Sequence, residues 1–320
     1  MNARPRPGVP WRRALLVVIA ASGLALGAAA AAAEPGHPAA VRAATWAKAV
    51  SSPAADACDP TASSLRPSGP PQVTSGSFMA KVRARGYLIA GVDQSTYHFG
   101  FLNPLNNQIE GFDIDMVRAV AKAIFGNSNP GTVHFRAISD AQRIPDITNG
   151  TVDIVAHTMT ITCDRLKTID FSSVYFDAAQ RVLVLKSSTA TSLDDLHGQK
   201  VCATHGSDSV DRIKQHHAIA VQVPYWTDCL VLLQQGDVVA ISTDDSILDG
   251  LAAQDPWTMI IGPQLTSEPY GLAISKQHPE FVRFVNAVQQ QLRTDGQWKS
   301  IYTRWLGTPV KNPPPAHYAG

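Results

Sequence analysis

The chain has only four cysteines in 320 residues, and no two of them stand at C-x-x-C spacing. That removes the usual zinc and thioredoxin-type arrangements. G-x-G-x-x-G and G-x-x-x-x-G-K-[ST] are both missing, so nothing is shaped to cradle a nucleotide phosphate. G-x-S-x-G, S-x-x-K and H-E-x-x-H are missing too; these spacings prepare a serine or a zinc-bound water for hydrolysis. His216 and His217 are adjacent, and neighbours on a helix point apart, so they make no metal site. No cofactor is expected. A basic surplus is also lacking. Residues 1–33 hold four arginines and no acid, which leaves 23 basic against 26 acidic side chains in the remainder. A mildly acidic body argues against nucleic acid.

What is present begins with an export signal. Met1 to Arg13 is basic, and Ala14 to about Ala33 is apolar, ending in small residues suited to A-x-A cleavage before Glu34. Residues 1–33 read as a signal peptide, or as an uncleaved anchor, since roughly 20 apolar residues span a bilayer. No cysteine closes the run, so this is not a lipobox lipoprotein; the expected place is the cell envelope, the periplasmic space or the medium. Residues 34–77, rich in Ala, Pro and Ser, read as a tether ordered at most near Cys58. All four cysteines lie in the exported part, where an even count favours two disulfides with three pairings open. Cys202 and Cys229 flank one strand–helix–strand unit and are expected partners, which leaves Cys58 for Cys163.

The chain is organised around Val152 to Phe171, VDIVAHTMTITCDRLKTIDF. A short β-branched strand runs out into Thr158, Thr160 and Thr162 and then Arg165. A guanidinium fork matches a carboxylate two-for-two, and hydroxyls add donors at short range. Alternatively, Arg165 pairs on the surface with Asp164 or Asp170. Around this stretch the elements alternate. A helix near Phe78 to Arg85 closes on Gly86, a strand follows at Tyr87 to Val92, and a loop then carries Asp93, Tyr97, Phe99 and Phe101. The clearest helix begins at GFDID with Asp113 as its N-cap and stops at Gly126. Strand alternating with helix implies α/β architecture with mostly parallel sheets. A second alternating series starts at Arg181. Its loop Thr204-His205-Gly206-Ser207-Asp208-Ser209 leads into a helix and makes another anion-friendly cradle. Its strand ending in Thr243-Asp244-Asp245-Ser246 presents two acids. Ligands lie beyond strand carboxyl ends in such sheets; Asp244 is expected to face the cleft and Asp245 to cap the next helix.

The order GVD, YHFGFLNP, GFDIDM, RIPDITNGTVDI, TMTITCDR, IDFSSVY, STDDS, EPYGLAISK and FVNAVQQQLRTDGQWKSIYTRW resembles the family 3 solute-binding proteins of polar amino-acid ABC transporters, nearest their actinobacterial glutamine/glutamate-binding branch. The resemblance runs from about Phe78 to Leu306. It implies a two-lobed periplasmic-binding-protein-like fold of type II, two mostly parallel sheets joined by two crossing strands. Lobe 1 would be 78–178 with 269–308, lobe 2 would be 181–265, and 309–320 a tail. It further implies that Arg165 grips the α-carboxylate of a free amino acid, helped by Thr160 and the Ser207–Ser209 loop. Asp244 would take the α-ammonium. Asp93, Tyr97, Phe99, His157, Thr204 and His205 match places that line the side-chain pocket. The ligand implied is glutamate, glutamine, aspartate or asparagine, and if the histidines grip a side-chain carboxylate, affinity should fall as pH rises through their titration range.

Two positions depart from that pattern: Asp208 stands where a small or hydroxylic residue is usual, and Val239 where an acid is. The implied partners are the ABC permease subunits, with the protein itself monomeric. The alternative is a receptor signalling through a membrane sensor protein; an enzyme of the same fold, a prearomatic amino-acid dehydratase, is the remaining one.

Overall fold

The computed structural model describes residues 58–319. The export reading of residues 1–33 lies outside the described residues. Among the described residues no helix is long and apolar enough to cross a membrane.

Two five-stranded sheets carry the fold. The first runs Val133–Ala137, Leu88–Val92, Ile154–Ala156, Ala273–Ile274, Asp170–Phe171; its first three strands are parallel and Ala273–Ile274 is antiparallel to both neighbours. The second runs Ile219–Val223, Lys200–Thr204, Ala240–Asp244, Gln180–Leu185, Thr258–Ile261; again the first three strands are parallel and the fourth, Gln180–Leu185, is antiparallel to both neighbours. Parallel neighbours need crossovers, which the helices supply. Helix Phe112–Phe125 buries Met116, Val117, Val120 and Ile124 and ends at Gly126 in the left-handed region.

Side-chain alternation decides which face each residue covers. Ile154 and Ala156 join a core with Leu88, Phe112, Phe281 and Trp298. Val155, between them, joins a smaller cluster with Ile138, Ile147 and Phe171 on the other face. The second sheet has its own core, built on Val182, Leu183, Val201, Ile241 and Leu248. Separate cores make separate lobes. Two passages of chain join them, pairing as antiparallel strands Phe176–Ala178 and Glu268–Tyr270.

Several local expectations need correction. Gly111, not Asp113, is the N-cap of Phe112–Phe125. Asp113 is buried inside the first turn, where its carboxylate accepts from Tyr175 Oη at 2.6 Å and Thr158 N at 2.7 Å. Asp244 holds the cap position of helix Asp245–Gln254 without a side-chain cap bond. Asp245 is the first helical residue and accepts from Ala179 N and Ser246 N. The segment expected to be a loose tether packs from Cys58 onward. Ser64 is buried, donates to Phe171 O at 2.7 Å and receives Asn286 Nδ2 at 2.7 Å. The C-terminal tail packs beside it. Arg293 donates to Pro314 O, and Ala319 N donates to Ser64 O at 2.8 Å. These backbone groups find protein partners, a source of order that composition does not reveal.

Candidate functional site

Arg165 lies in the short helix Cys163–Leu166, whose N-cap Thr162 accepts from Arg165 N at 3.2 Å. The first residue of that helix is bonded to Cys58. The guanidinium is nearly buried. It donates to Thr160 O at 2.7 Å and lies 3.4 Å from Asp208 Oδ1 on the other lobe. The surface-pair reading fails, because Asp164 pairs with Lys167 and Asp170 with Lys276. Asp244 ends its strand buried, with Oδ2 accepting from Tyr270 Oη at 2.6 Å.

Asp244 and Asp208 both line one cavity between the lobes, together with Arg143, Thr158, Ser209 and Trp226. It measures about 10 Å³, the space of roughly one water molecule. The lobes meet around it. Thr204 Oγ1 donates a short hydrogen bond to Asp140, and Arg143 Nη2 donates to Gly206 O at 3.3 Å. Glycine permits this approach: a Cβ on Gly206 would lie 2.8 Å from Ala141 Cα, and one on Gly250 would lie 2.7 Å from Tyr97 O. A larger cavity of about 550 Å³ lies elsewhere on lobe 1, between Arg118 and Arg304, and contains none of these groups.

The site is crowded with carboxylates. Burial, then the nearby Glu268 and Asp208, pushes Asp244 well above the carboxylate range against the Tyr270 hydrogen bond. Burial, then Asp208, raises Glu268 to about 7. Asp208 moves the other way. Partial burial works to raise it, but Arg165, its own backbone amide and Arg143 outweigh that and hold it low. Burial likewise raises Asp113 to about 6 despite the bonds from Tyr175 and Thr158.

These shifts predict how stability varies with pH. The folded protein holds the Glu268 and Asp113 protons more tightly than the unfolded chain does. Their contribution is therefore full below the ordinary values of 4.5 and 3.8 and is lost as pH rises through about 7 and 6. The midpoint of thermal unfolding should fall by several degrees between about pH 5 and 8, and Glu268→Gln should flatten that slope. A midpoint that rises over the same range in wild type and variant alike would contradict it.

Thr158, Ser207, Asp208, Ser209 and Asp244 all reach the cavity wall. Thr160 serves through its carbonyl, which holds Arg165. Arg165, Thr204 and the other expected pocket residues are not in that wall. Asp93 is spent on Gln94 N, Ser95 N and the Ser95 and Thr96 hydroxyls. Phe99 is core, packed on Phe112, Phe176 and Tyr270. Tyr97 touches Gly250 with its backbone while its ring meets His98 and Phe101. His157 is buried against Ile138 O at 2.9 Å, and His205 is exposed and bonded to Gln222. Val239 is exposed, just before the strand whose far end is Asp244. Arg143 and Trp226 escaped the sequence reading. In the sequence neither carries a local signal: Arg143 is one charge in a helical stretch and Trp226 one aromatic before an apolar run.

A family model for bacterial extracellular solute-binding proteins, family 3, matches residues 88–308. The chain belongs to that family. This family 3 solute-binding protein is 35% identical over 231 residues to the ABC transporter glutamine-binding protein GlnH of Bacillus subtilis (strain 168), covering 71% of this chain and 84% of that one. It is 29% identical to the glutamate-binding protein GluB of Corynebacterium efficiens over 236 residues, 69% of this chain and 79% of that protein. Among solved structures it is similar to an ancestral arginine-binding protein bound to glutamine, at 32% identity and TM-score 0.65, covering 70% of this chain and 99% of that one. The two-lobed α/β architecture is therefore that of the amino-acid-binding proteins. The structure pairs the four cysteines as Cys58–Cys163 and Cys202–Cys229, one disulfide at the Arg165 helix and one at the helix that begins with Trp226.

Proposed function

We propose that this protein, exported from the cytoplasm, binds one free polar amino acid between its lobes and delivers it to the permease subunits of an ABC importer. Glutamine, glutamate, aspartate and asparagine are the ligands proposed. One observation carries the reading: the buried Arg165 guanidinium on lobe 1 meets Asp208 across the cleft, and Asp208 and the buried Asp244 of lobe 2 line one cavity there. A zwitterion needs both at once, since burying either of its charges unpaired is costly. Arg165 takes the α-carboxylate and Asp244 the α-ammonium. Thr158, Thr160, Ser207 and Ser209 add polar groups around them. The binding proteins it resembles, for glutamine and for glutamate, support that ligand class.

An amino acid is larger than the space between the lobes, so entry requires them to part about the Phe176–Ala178 and Glu268–Tyr270 pair. Asp208 then has to leave Arg165. Its carboxylate competes with the ligand's for the same guanidinium, so Asp208→Asn should tighten binding about tenfold, near 1.4 kcal/mol. Calorimetric titration reads this directly, and an affinity that falls instead would show Asp208 to be a ligand contact.

Thermal shift against all twenty amino acids tests the function itself, because a true ligand raises the unfolding midpoint by mass action. The polar four should raise it. A response to arginine or leucine alone, or turnover of arogenate or prephenate, would overturn the reading.

A further inference from the structure

Six buried side-chain polar atoms have no hydrogen-bond partner among the described residues, and two of them belong to residues lining the cavity between the lobes. One is Trp226 Nε1 on lobe 2; the other is Thr158 Oγ1 on lobe 1. Both residues are more than nine-tenths buried. An unpaired buried N–H is rare in folded proteins because nothing repays the water it gave up. Its neighbours in the wall are already engaged. Ser209 Oγ and Thr243 Oγ1 bond each other at 3.2 Å, and Asp244 Oδ2 accepts from Tyr270.

An indole N–H can only donate. What satisfies it must therefore bring an acceptor. We propose that Trp226 reads the ligand's side chain, its Nε1–H donating to an oxygen at the end of that chain, with Thr158 Oγ1 as a second partner. The proposal rests on the amino-acid-binding function argued above and names the feature that the site selects. Amide carbonyls and carboxylates supply such an oxygen. Lysine and arginine side chains end in donors only, and apolar ones end in neither, so both leave the indole unpaired.

The indole sits on a rigid mount, as a selecting group must. Trp226 is the first residue of helix Trp226–Gln235, whose first turn is closed by Asp228 accepting from Tyr225 N at 3.2 Å. One turn on, Cys229 bonds to Cys202 in strand Lys200–Thr204 beside it. The other tryptophans among the described residues are placed differently. Trp298 and Trp305 already donate, to Tyr175 O and Asp115, and Trp257 is on the surface.

Trp226→Phe keeps the ring and removes the N–H. Calorimetric titration of wild type and variant with glutamine, glutamate and 2-aminopentanoate, which has the same backbone and no side-chain oxygen, separates the roles. The expected result is about a tenfold loss for whichever oxygen-bearing ligand wild type binds, and a change within about twofold for 2-aminopentanoate. Equal losses for all three would make Trp226 a packing residue and overturn the proposal; so would no loss at all. If the variant does not fold, the indole ¹⁵N–¹H spectrum of the intact chain decides. One buried indole proton should move downfield with the oxygen-bearing ligand and stay in place with 2-aminopentanoate, and no such movement overturns the proposal. Wild type that binds no amino acid removes the function as well, whereas wild-type binding that Trp226→Phe leaves unchanged removes this inference alone.

Discussion

Arg165→Ala should raise the dissociation constant for the amino acid by about 100-fold to 1,000-fold. Truncating one partner of a buried, hydrogen-bonded charge pair typically costs about 2–5 kcal/mol, and about 1.4 kcal/mol is tenfold. Two features keep this residue off the low end of that range. Its guanidinium is already oriented by Thr160 O, so little ordering remains when a carboxylate arrives. Its helix is tied to the N-terminal segment through Cys58–Cys163, which fixes where the fork points. Arg165→Lys should not restore binding, because an ammonium cannot make the two parallel bonds. Titration calorimetry with the preferred ligand checks both variants; affinity within threefold of wild type for Arg165→Ala would remove the carboxylate site from this position.

Asp244→Asn should weaken binding by about 100-fold on the same reasoning and should also abolish a proton signal. In the structure Asp244 is pushed well above the usual carboxylate range by burial and by Glu268 and Asp208. It therefore keeps its proton to higher pH than an ordinary carboxyl group. An ammonium arriving beside it favours the ionised form, so the proton leaves as the ligand binds. The sign follows: affinity should rise with pH over the range in which that raised group gives up its proton. This is opposite to the fall expected if His157 and His205 gripped the ligand; in the structure His157 Nε2 lies 2.9 Å from Ile138 O and His205 bonds Gln222. Calorimetry in two buffers of different ionisation enthalpy counts the released proton in wild type. No difference between the buffers, or an equal difference in Asp244→Asn, would show that another group carries the linkage.

The two predictions interlock through Asp208. It holds Arg165 across the cleft and also contributes to raising Asp244 and Glu268. Removing its charge should tighten binding and also lower the pH at which affinity levels off. Such non-additivity is usual for groups in one network.

Local sequence determined much here. Helix Phe78–Arg85 closes on Gly86 because a left-handed residue is needed there and glycine supplies it without steric cost. The strand before Thr158, with apolar residues at every position, could only be buried on both faces, and it is. The family pattern around TITCDR marked Arg165 because a fork among hydroxyls is a short-range chemical signature, legible without knowing what lies opposite. What tertiary structure alone decided are the pairings across the cleft. Nothing near residue 208 in the chain says that its carboxylate will meet a guanidinium 43 positions earlier. Asp93, Phe99 and His157 have the chemistry of pocket residues, yet Asx-turn bonds, aromatic packing and a backbone carbonyl had already claimed them. Trp226 looks like core by composition and packs as core, and only the absence of a partner for its one polar atom sets it apart. The physical reason is the same throughout. Sequence spacing sets a residue's local geometry, whereas hydrogen-bond satisfaction and charge depend on atoms brought in from the other lobe.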